Sequence, residues 1–186
     1  MEPEGSLERR EFLKRAGLAS AALASFPLLA DDARAAEGAE WTKFYFVALS
    51  GVAPTLTGGD SIAMSGFGSF TDGGVRGGGE FVHFDGTGIP SPSFIADGRW
   101  KAKRLLSFQE FGTWGVLVSG IVEMRVTLIP CEGPKIRGAT LTIVCNLGPP
   151  GISTGGIEGY TLAIPGGPTF SAFSPNIGLT VFSRRC

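Results

Sequence analysis

Short runs in which apolar and polar residues alternate make up most of the chain from residue 41 onward. Successive side chains of a β-strand point to opposite faces of a sheet, so a period of two predicts strands. The pattern predicts about eight strands, located at 41–50, two within the hairpin 60–84, 98–110, 113–131, 139–147, 157–164 and 177–183.

The hairpin at 60–84 contains three consecutive glycines and the only histidine of the chain. Its predicted turn is Thr71–Gly74, because Asp-Gly is a strong hairpin signal in which glycine accepts a positive φ. Glycine weakens a strand, so Gly77–Gly79 predicts a bulge, a barrel corner or a close approach of two backbones. A phosphate-binding loop would instead need a following Lys-Ser/Thr and a helix. Alternation places Ile62, Met64, Gly66, Gly68 and Phe70 on one face, and Val75, Gly77, Gly79, Phe81 and His83 on one face of the next strand.

The stretch 98–110 is basic and allows two interpretations. We predict a strand, although Lys, Ala, Arg and Leu also favour a short helix. Strict alternation would put Arg104 on the face of Trp100, and Lys101 and Lys103 on the other face. These three basic residues fit a solvated surface. The more specific alternative is a patch that binds an anionic ligand.

The longest run, 113–131, is predicted to be one strand that bends at Gly120, followed by a hairpin loop at 132–138. In the next strand Ala139, Leu141, Ile143 and Cys145 are expected to face inward. The Gly- and Pro-rich segments 85–97 and 148–156 predict loops.

Composition agrees with an all-β fold. The 186 residues include 29 glycines, and charged residues make up only 18%, which is low for a disordered chain or a coiled coil. About eight antiparallel strands with glycine-rich turns predict a single β-barrel or β-sandwich, since both arrangements protect strand edges.

The N-terminus has a different character. Arg9-Arg10 is followed by Phe12, Leu13 and Lys14, then by an apolar Ala- and Leu-rich run at 16–30, and Ala33-x-Ala35 has the small residues of a cleavage site. The segment 1–35 resembles a twin-arginine (Tat) signal peptide. The resemblance implies recognition by the Tat translocase and a periplasmic or extracellular location.

Cleavage after residue 35 would leave 36–186 as a single all-β domain. The leader holds five of the 16 basic and six of the 17 acidic residues, so the remainder is formally neutral. No global charge favours nucleic acid. The apolar run is too short and too rich in Ala and Ser for a stable membrane span.

Three cysteines, Cys131, Cys145 and Cys186, are present. An exported compartment permits disulfides, and Cys131 and Cys145 are the nearest pair in sequence. A turn at 132–138 would offset them along the ladder, and a disulfide needs Cα atoms within about 7 Å, so both outcomes stay open. No Cys-x-x-Cys motif supports a metal or redox site.

Catalytic signals are weak. Gly151–Gly155 matches Gly-x-Ser-x-Gly, but Pro149-Pro150 precede it, Gly156 follows it, and the only histidine lies upstream rather than downstream. His83 is the first choice for an acid or base because its usual pKa lies near neutrality; Glu80, Asp85 and Glu123 are the carboxylates that could assist it. No metal site and no cofactor motif is predicted.

Two functions fit these observations. The first is a non-enzymatic exported β-domain that binds a small apolar ligand or a partner, since inward aromatic residues of a small barrel can line an apolar pocket. The alternative is a small barrel isomerase or cyclase in which His83 acts with Glu80 or another nearby carboxylate.

Overall fold

The computed structural model describes residues 41–52, 59–86, 93–154 and 156–184. The predicted leader, including Arg9, Arg10, Phe12, Leu13, Lys14, Ala33 and Ala35, and also Cys186, lie outside the described residues. The Tat resemblance therefore stays a prediction.

The described chain is all-β, as predicted, with eight strands and one helix of a single turn. The strands are β1 Thr42–Gly51, β2 Ser61–Thr71, β3 Gly74–Asp85, β4 Ser93–Trp114, β5 Leu117–Pro130, β6 Ile136–Cys145, β7 Gly159–Ala163 and β8 Thr169–Arg184. The helix, α1, spans Gly148–Ile152 and packs against β4 and β5. No helix among the described residues is long and apolar enough to cross a membrane.

The strands form a closed antiparallel barrel in sequence order. Each strand pairs with its successor, and β8 pairs back onto β1 from Thr42↔Arg184 to Gly51↔Ser171. The start of β5 also pairs with the end of β8, at Leu117↔Ser183. Of the two predicted architectures, the structure has the barrel.

Several predicted boundaries were wrong. The run 113–131 is interrupted, because Gly115 and Val116 form a turn between β4 and β5. The predicted loop 85–97 contains the start of β4, and β8 begins at Thr169 rather than at residue 177. The predicted loop 148–156 contains α1.

The barrel interior is filled by aromatic and aliphatic side chains. Phe46 packs its ring against Trp100 and against Tyr160, with centroids 5.9 and 5.5 Å apart. Close ring contacts also join Phe70 to Phe108 and Phe182. The shared faces predicted for β2 and β3 and the inward face predicted for β6 are confirmed, since their large side chains are buried: Ile62, Met64, Phe70, Phe81, Leu141 and Ile143.

Glycines on β2 and β3 make room for these rings. A Cβ atom on Gly66 would lie 2.2 Å from Cζ2 of Trp100, and one on Gly68 would lie 2.6 Å from Cζ of Phe44. A Cβ atom on Gly79 would lie 1.9 Å from the carbonyl oxygen of Ser65 on β2. The glycine run is therefore structural, as predicted, and it allows two backbones and large rings to approach closely.

One predicted face was wrong in β4. Ala102 pairs with Val126, whereas the next ladder pair is Arg104↔Arg125, so Lys103 is an extra, bulged residue. A bulge changes the phase of the residues that follow it. Arg104 therefore lies on the exposed outer face and not beside Trp100, which is buried.

The suggested disulfide between Cys131 and Cys145 does not form: both are free thiols. Cys145 pairs with Gly120 near the start of β5, whereas Cys131 directly follows the last residue of that strand. Eleven positions of a strand, at about 3.3 Å each, separate the two ends. Burial raises the pKa of the Cys145 thiol, which disfavours its reactive thiolate form.

Candidate functional site

His83 lies on the inward side of β3, near one end of the barrel. It pairs with Ile62 of β2, whose side chain is buried in the core, and it follows buried Phe81 in the same phase. The side chain retains 23% exposure. His83 thus closes the end of the core while its ring stays accessible from that end.

Asp60 is the acidic partner of His83. Oδ2 of Asp60 lies 3.1 Å from Nε2 of His83, and the Asp60 side chain is 40% exposed. The backbone holds Asp60 in position, because the amide of Val52 donates to its carbonyl oxygen at 2.9 Å. When the neutral imidazole of His83 donates from Nε2 to Asp60, its Nδ1 carries the lone pair that can accept a hydrogen bond. Asp60 therefore selects the orientation of the imidazole.

One aromatic ring and one exposed apolar residue adjoin this pair. The edge of the His83 ring contacts Phe170 of β8, with centroids 5.4 Å apart and planes at 83°. Val52, whose backbone amide bonds to Asp60, is 45% exposed. Phe94 pairs with Phe84, the neighbour of His83 in the chain, and therefore lies on the outer face. A partly exposed polar pair thus adjoins an exposed apolar side chain, a combination found in small-molecule sites.

A buried polar layer supports the site from below. The Tyr160 hydroxyl donates to the carbonyl oxygen of Ile62, and the Ser50 hydroxyl donates to the carbonyl oxygen of Tyr160 at 2.7 Å. The Ser61 hydroxyl donates to the carbonyl oxygen of Gly86. Burial raises the pKa of Tyr160 far above its usual value, so this phenol stays protonated and serves as a fixed donor.

The other predicted carboxylates lie elsewhere. Glu80 is exposed on the outer face of β3, opposite Ser65 and Arg99, so it does not share the face of His83. Asp85 is exposed at the end of β3, and Glu123 accepts a hydrogen bond from Ser107 on the outer face. The structure brings none of the three into contact with the imidazole among the described residues.

Ser153 of the Gly-x-Ser-x-Gly match is exposed and donates to the carbonyl oxygen of Pro150. It follows α1, whereas a nucleophile elbow places the serine between a strand and a following helix. The described residues hold no group of three or more His, Cys, Asp or Glu side chains suited to a metal ion.

Sequence reasoning identified His83 but missed Asp60 and Phe170. Asp60 lies 23 positions from His83 and Phe170 lies 87 positions away, so only the pairing of β2 and β3 and the closure of the barrel bring them together. Asp60 precedes a predicted strand, which is the one local signal that could have selected it.

Comparison with protein-family models, curated proteins and solved structures gave no match.

Proposed function

We propose that the protein is an exported, non-catalytic binding domain that takes a small molecule at the His83 end of the barrel. The ligand has an apolar body and one polar group. The apolar body lies against Val52, which is 45% exposed and bonded through its backbone to Asp60, and the polar group bonds to the imidazole of His83.

The observation that carries this proposal is the His83–Asp60 pair on the inward side of the barrel wall. A histidine held by a carboxylate presents its other ring nitrogen in a fixed direction. Because side chains fill the interior below it, the ligand site lies at the end of the barrel and not deep within it.

Export is the second part of the proposal and comes from the resemblance of residues 1–35 to a Tat leader. Tat cargo crosses the membrane folded, so the barrel would close before export. The proposed ligand would then be met in the periplasm or outside the cell.

The test uses the fact that His83 is the only histidine, so its imidazole signals in a proton NMR spectrum need no further assignment. Dodecanoic acid, dodecanol and 2-naphthol are titrated in turn, with acetate as the compound that lacks an apolar body. We expect saturable shifts of the His83 signals with at least one of the three and none with acetate.

A matched pair of variants locates the site. Asp60→Asn should weaken binding about ten-fold, because an oriented hydrogen bond to a charged group contributes about 1.5 kcal/mol or more. Glu80→Gln, which removes a carboxylate from the outer face, should leave binding unchanged. Failure of all three probes to move the His83 signals, or equal effects of the two variants, would contradict the proposal.

The 3.1 Å distance between His83 and Asp60 also favours a second candidate, an isomerase or cyclase. An orienting carboxylate raises the efficiency of a histidine base. In this candidate Asp60, and not Glu80, assists His83. Conversion of a bound probe or ligand that is lost in Asp60→Asn and retained in Glu80→Gln would support the enzyme over the binding domain.

A further inference from the structure

Six basic side chains lie together on the outside of three neighbouring strands. We call this surface the basic face; all its members are exposed, and they are Arg99, Lys101, Lys103 and Arg104 of β4, Arg125 of β5 and Arg137 of β6. It lies on the outer wall of the barrel, so it is separate from the site at His83.

The ladder shows how close these side chains are. Lys101 pairs with Thr127 of β5, and Thr127 pairs in turn with Arg137 of β6. Adjacent strands lie about 4.8 Å apart, so Lys101 and Arg137 are separated by about 10 Å. Thr127 between them is buried, which indicates that the surrounding side chains cover it.

The bulge in β4 adds two more charges. Lys103 and Arg104 are consecutive, yet both are exposed. Arg104 lies directly opposite Arg125, and like charges at directly opposed positions of a ladder are destabilising. A bound anion would relieve this repulsion.

Arg125 is fixed by neutral groups. Its Nη1 donates to the carbonyl oxygen of Gly138 at 2.9 Å and to Oγ1 of Thr140 at 2.6 Å. These bonds orient the guanidinium and leave its charge uncompensated.

Carboxylates border the basic face but do not neutralise it. Glu80 lies opposite Arg99, Asp97 lies two positions before Arg99, and Glu123 lies two positions before Arg125. The ion pairs that the structure shows among described residues join His83 to Asp60 and Arg184 to Glu110, and none involves the basic face.

We propose that the basic face binds an acidic polysaccharide, a linear chain of sugars that carry carboxylate or sulfate groups. Four of its six members are arginines, whose planar forks bind such oxyanions in a bidentate manner. Single-stranded nucleic acid would need aromatic platforms, and a bilayer would need apolar side chains that enter the headgroup layer. The nearest outer-face neighbours of Lys101 and Arg125 are instead Gly78, Thr127 and Thr140. One exposed ring, Phe67, lies in the row of Lys101 but two strands away, and a single ring does not make a series of stacking platforms.

The test titrates the full chain with heparin and with polygalacturonate at about 50 mM salt, with dextran as the neutral chain. Both acidic chains should bind, and dextran should not. Affinity should fall as salt rises, because bound cations of the polymer are released.

Lys101→Gln and Lys43→Gln form a matched pair, since each removes one exposed lysine from the outer face of a strand. Lys101→Gln should weaken heparin binding about five-fold and lower the slope of log K against log salt by about one, whereas Lys43→Gln should change neither. Unchanged thermal unfolding of both variants excludes misfolding as the cause.

Three results would overturn the proposal. The first is failure of both acidic polysaccharides to bind. The second is an equal effect of the two lysine variants. The third is tighter binding to oligodeoxythymidylate or to phosphatidylglycerol vesicles, which would assign the basic face to nucleic acid or to a membrane.

Discussion

Gly66 shows how a single position sets the packing inside the barrel. The indole N–H of Trp100 donates to the carbonyl oxygen of Ser65 at 2.8 Å, which fixes the ring over Gly66. Phe46 closes the same space from the other side. Because both rings are buried, neither can move outward without breaking other contacts.

Gly66→Ala should therefore lower the free energy of unfolding by about 1–3 kcal/mol, the usual cost of adding a methylene to a packed core. Urea unfolding followed by tryptophan fluorescence measures the change. Gly74→Ala is the control, because a Cβ atom there meets nothing within 4 Å. Equal losses in the two variants would contradict this account of the packing.

The candidate site was only partly predictable from individual residues. His83 stood out because it is the only histidine and because alternation placed it with Phe81. Asp60 did not, since its carboxylate reaches His83 only after β2 and β3 pair in the observed register. Glu80 was closer in sequence, but an odd separation of three positions puts it on the other side of the strand.

Turns explain why strand content was predicted well and strand boundaries less well. The turn at Thr71–Gly74 is confirmed, although Gly73 is not among the residues with positive φ. The turn between β4 and β5 was missed because Trp114 and Val116 continue the apolar alternation of the run 113–131. Its real signal is Gly115, with φ of 62° at the first central position, as in a type II′ turn.

Gly115→Ala should destabilise the protein by about 1–2 kcal/mol, because a side chain at positive φ is strained even in open space. A Cβ atom at Gly115 meets nothing within 4 Å, and the same holds at Gly74, where φ is not positive. The difference in free energy of unfolding between Gly115→Ala and Gly74→Ala therefore measures the cost of the backbone conformation alone. A difference near zero would be inconsistent with the observed turn.

The bulge at Lys103 marks a further limit of sequence reasoning. A period-two pattern assigns every residue to one of two faces. An extra residue reverses the assignment until a second irregularity, here between Leu105 and Ser107, restores it. Nothing in the sequence from Trp100 to Phe108 marks where the phase changes, and only the partner strand β5 reveals it.

Tyr160 connects opposite parts of the barrel. It belongs to β7, yet its hydroxyl donates to the backbone of β2 at Ile62. Burial raises its pKa above the usual value of about 10, so the folded protein keeps this proton at a pH at which the unfolded chain releases it. The contribution of Tyr160 to stability is complete below pH 10 and decreases as the pH rises further.

Tyr160→Phe should therefore have two effects. It should lower stability by about 1 kcal/mol at neutral pH through loss of the hydrogen bond. It should also make the decline of stability above pH 10 shallower by up to about 1.4 kcal/mol per pH unit. Urea unfolding between pH 8 and about pH 11 under reducing conditions measures both, and Tyr45→Phe is the control. Parallel pH curves for wild type and Tyr160→Phe would contradict the assignment.

Closure of the barrel was the part of the architecture that the sequence left open. Alternation predicts strands and hairpin turns predict neighbours, which accounts for the sequential pairing of β1 to β6. No local feature of the sequence marks the pairing of β1 with β8. This pairing depends on strand twist, on strand length and on the break in the register of β8 between Ala172 and Ile177. Barrel and sandwich were therefore equal expectations.

The pairing of the first strand with the last also fixes when the protein can mature. A ribosome makes β1 at the outset and must synthesise more than a hundred further residues before β8 emerges to cover its free edge. Until then the nascent chain exposes the unpaired backbone edge of β1, which other nascent chains could capture, so the interval between synthesis of β1 and emergence of β8 is when a chaperone would act.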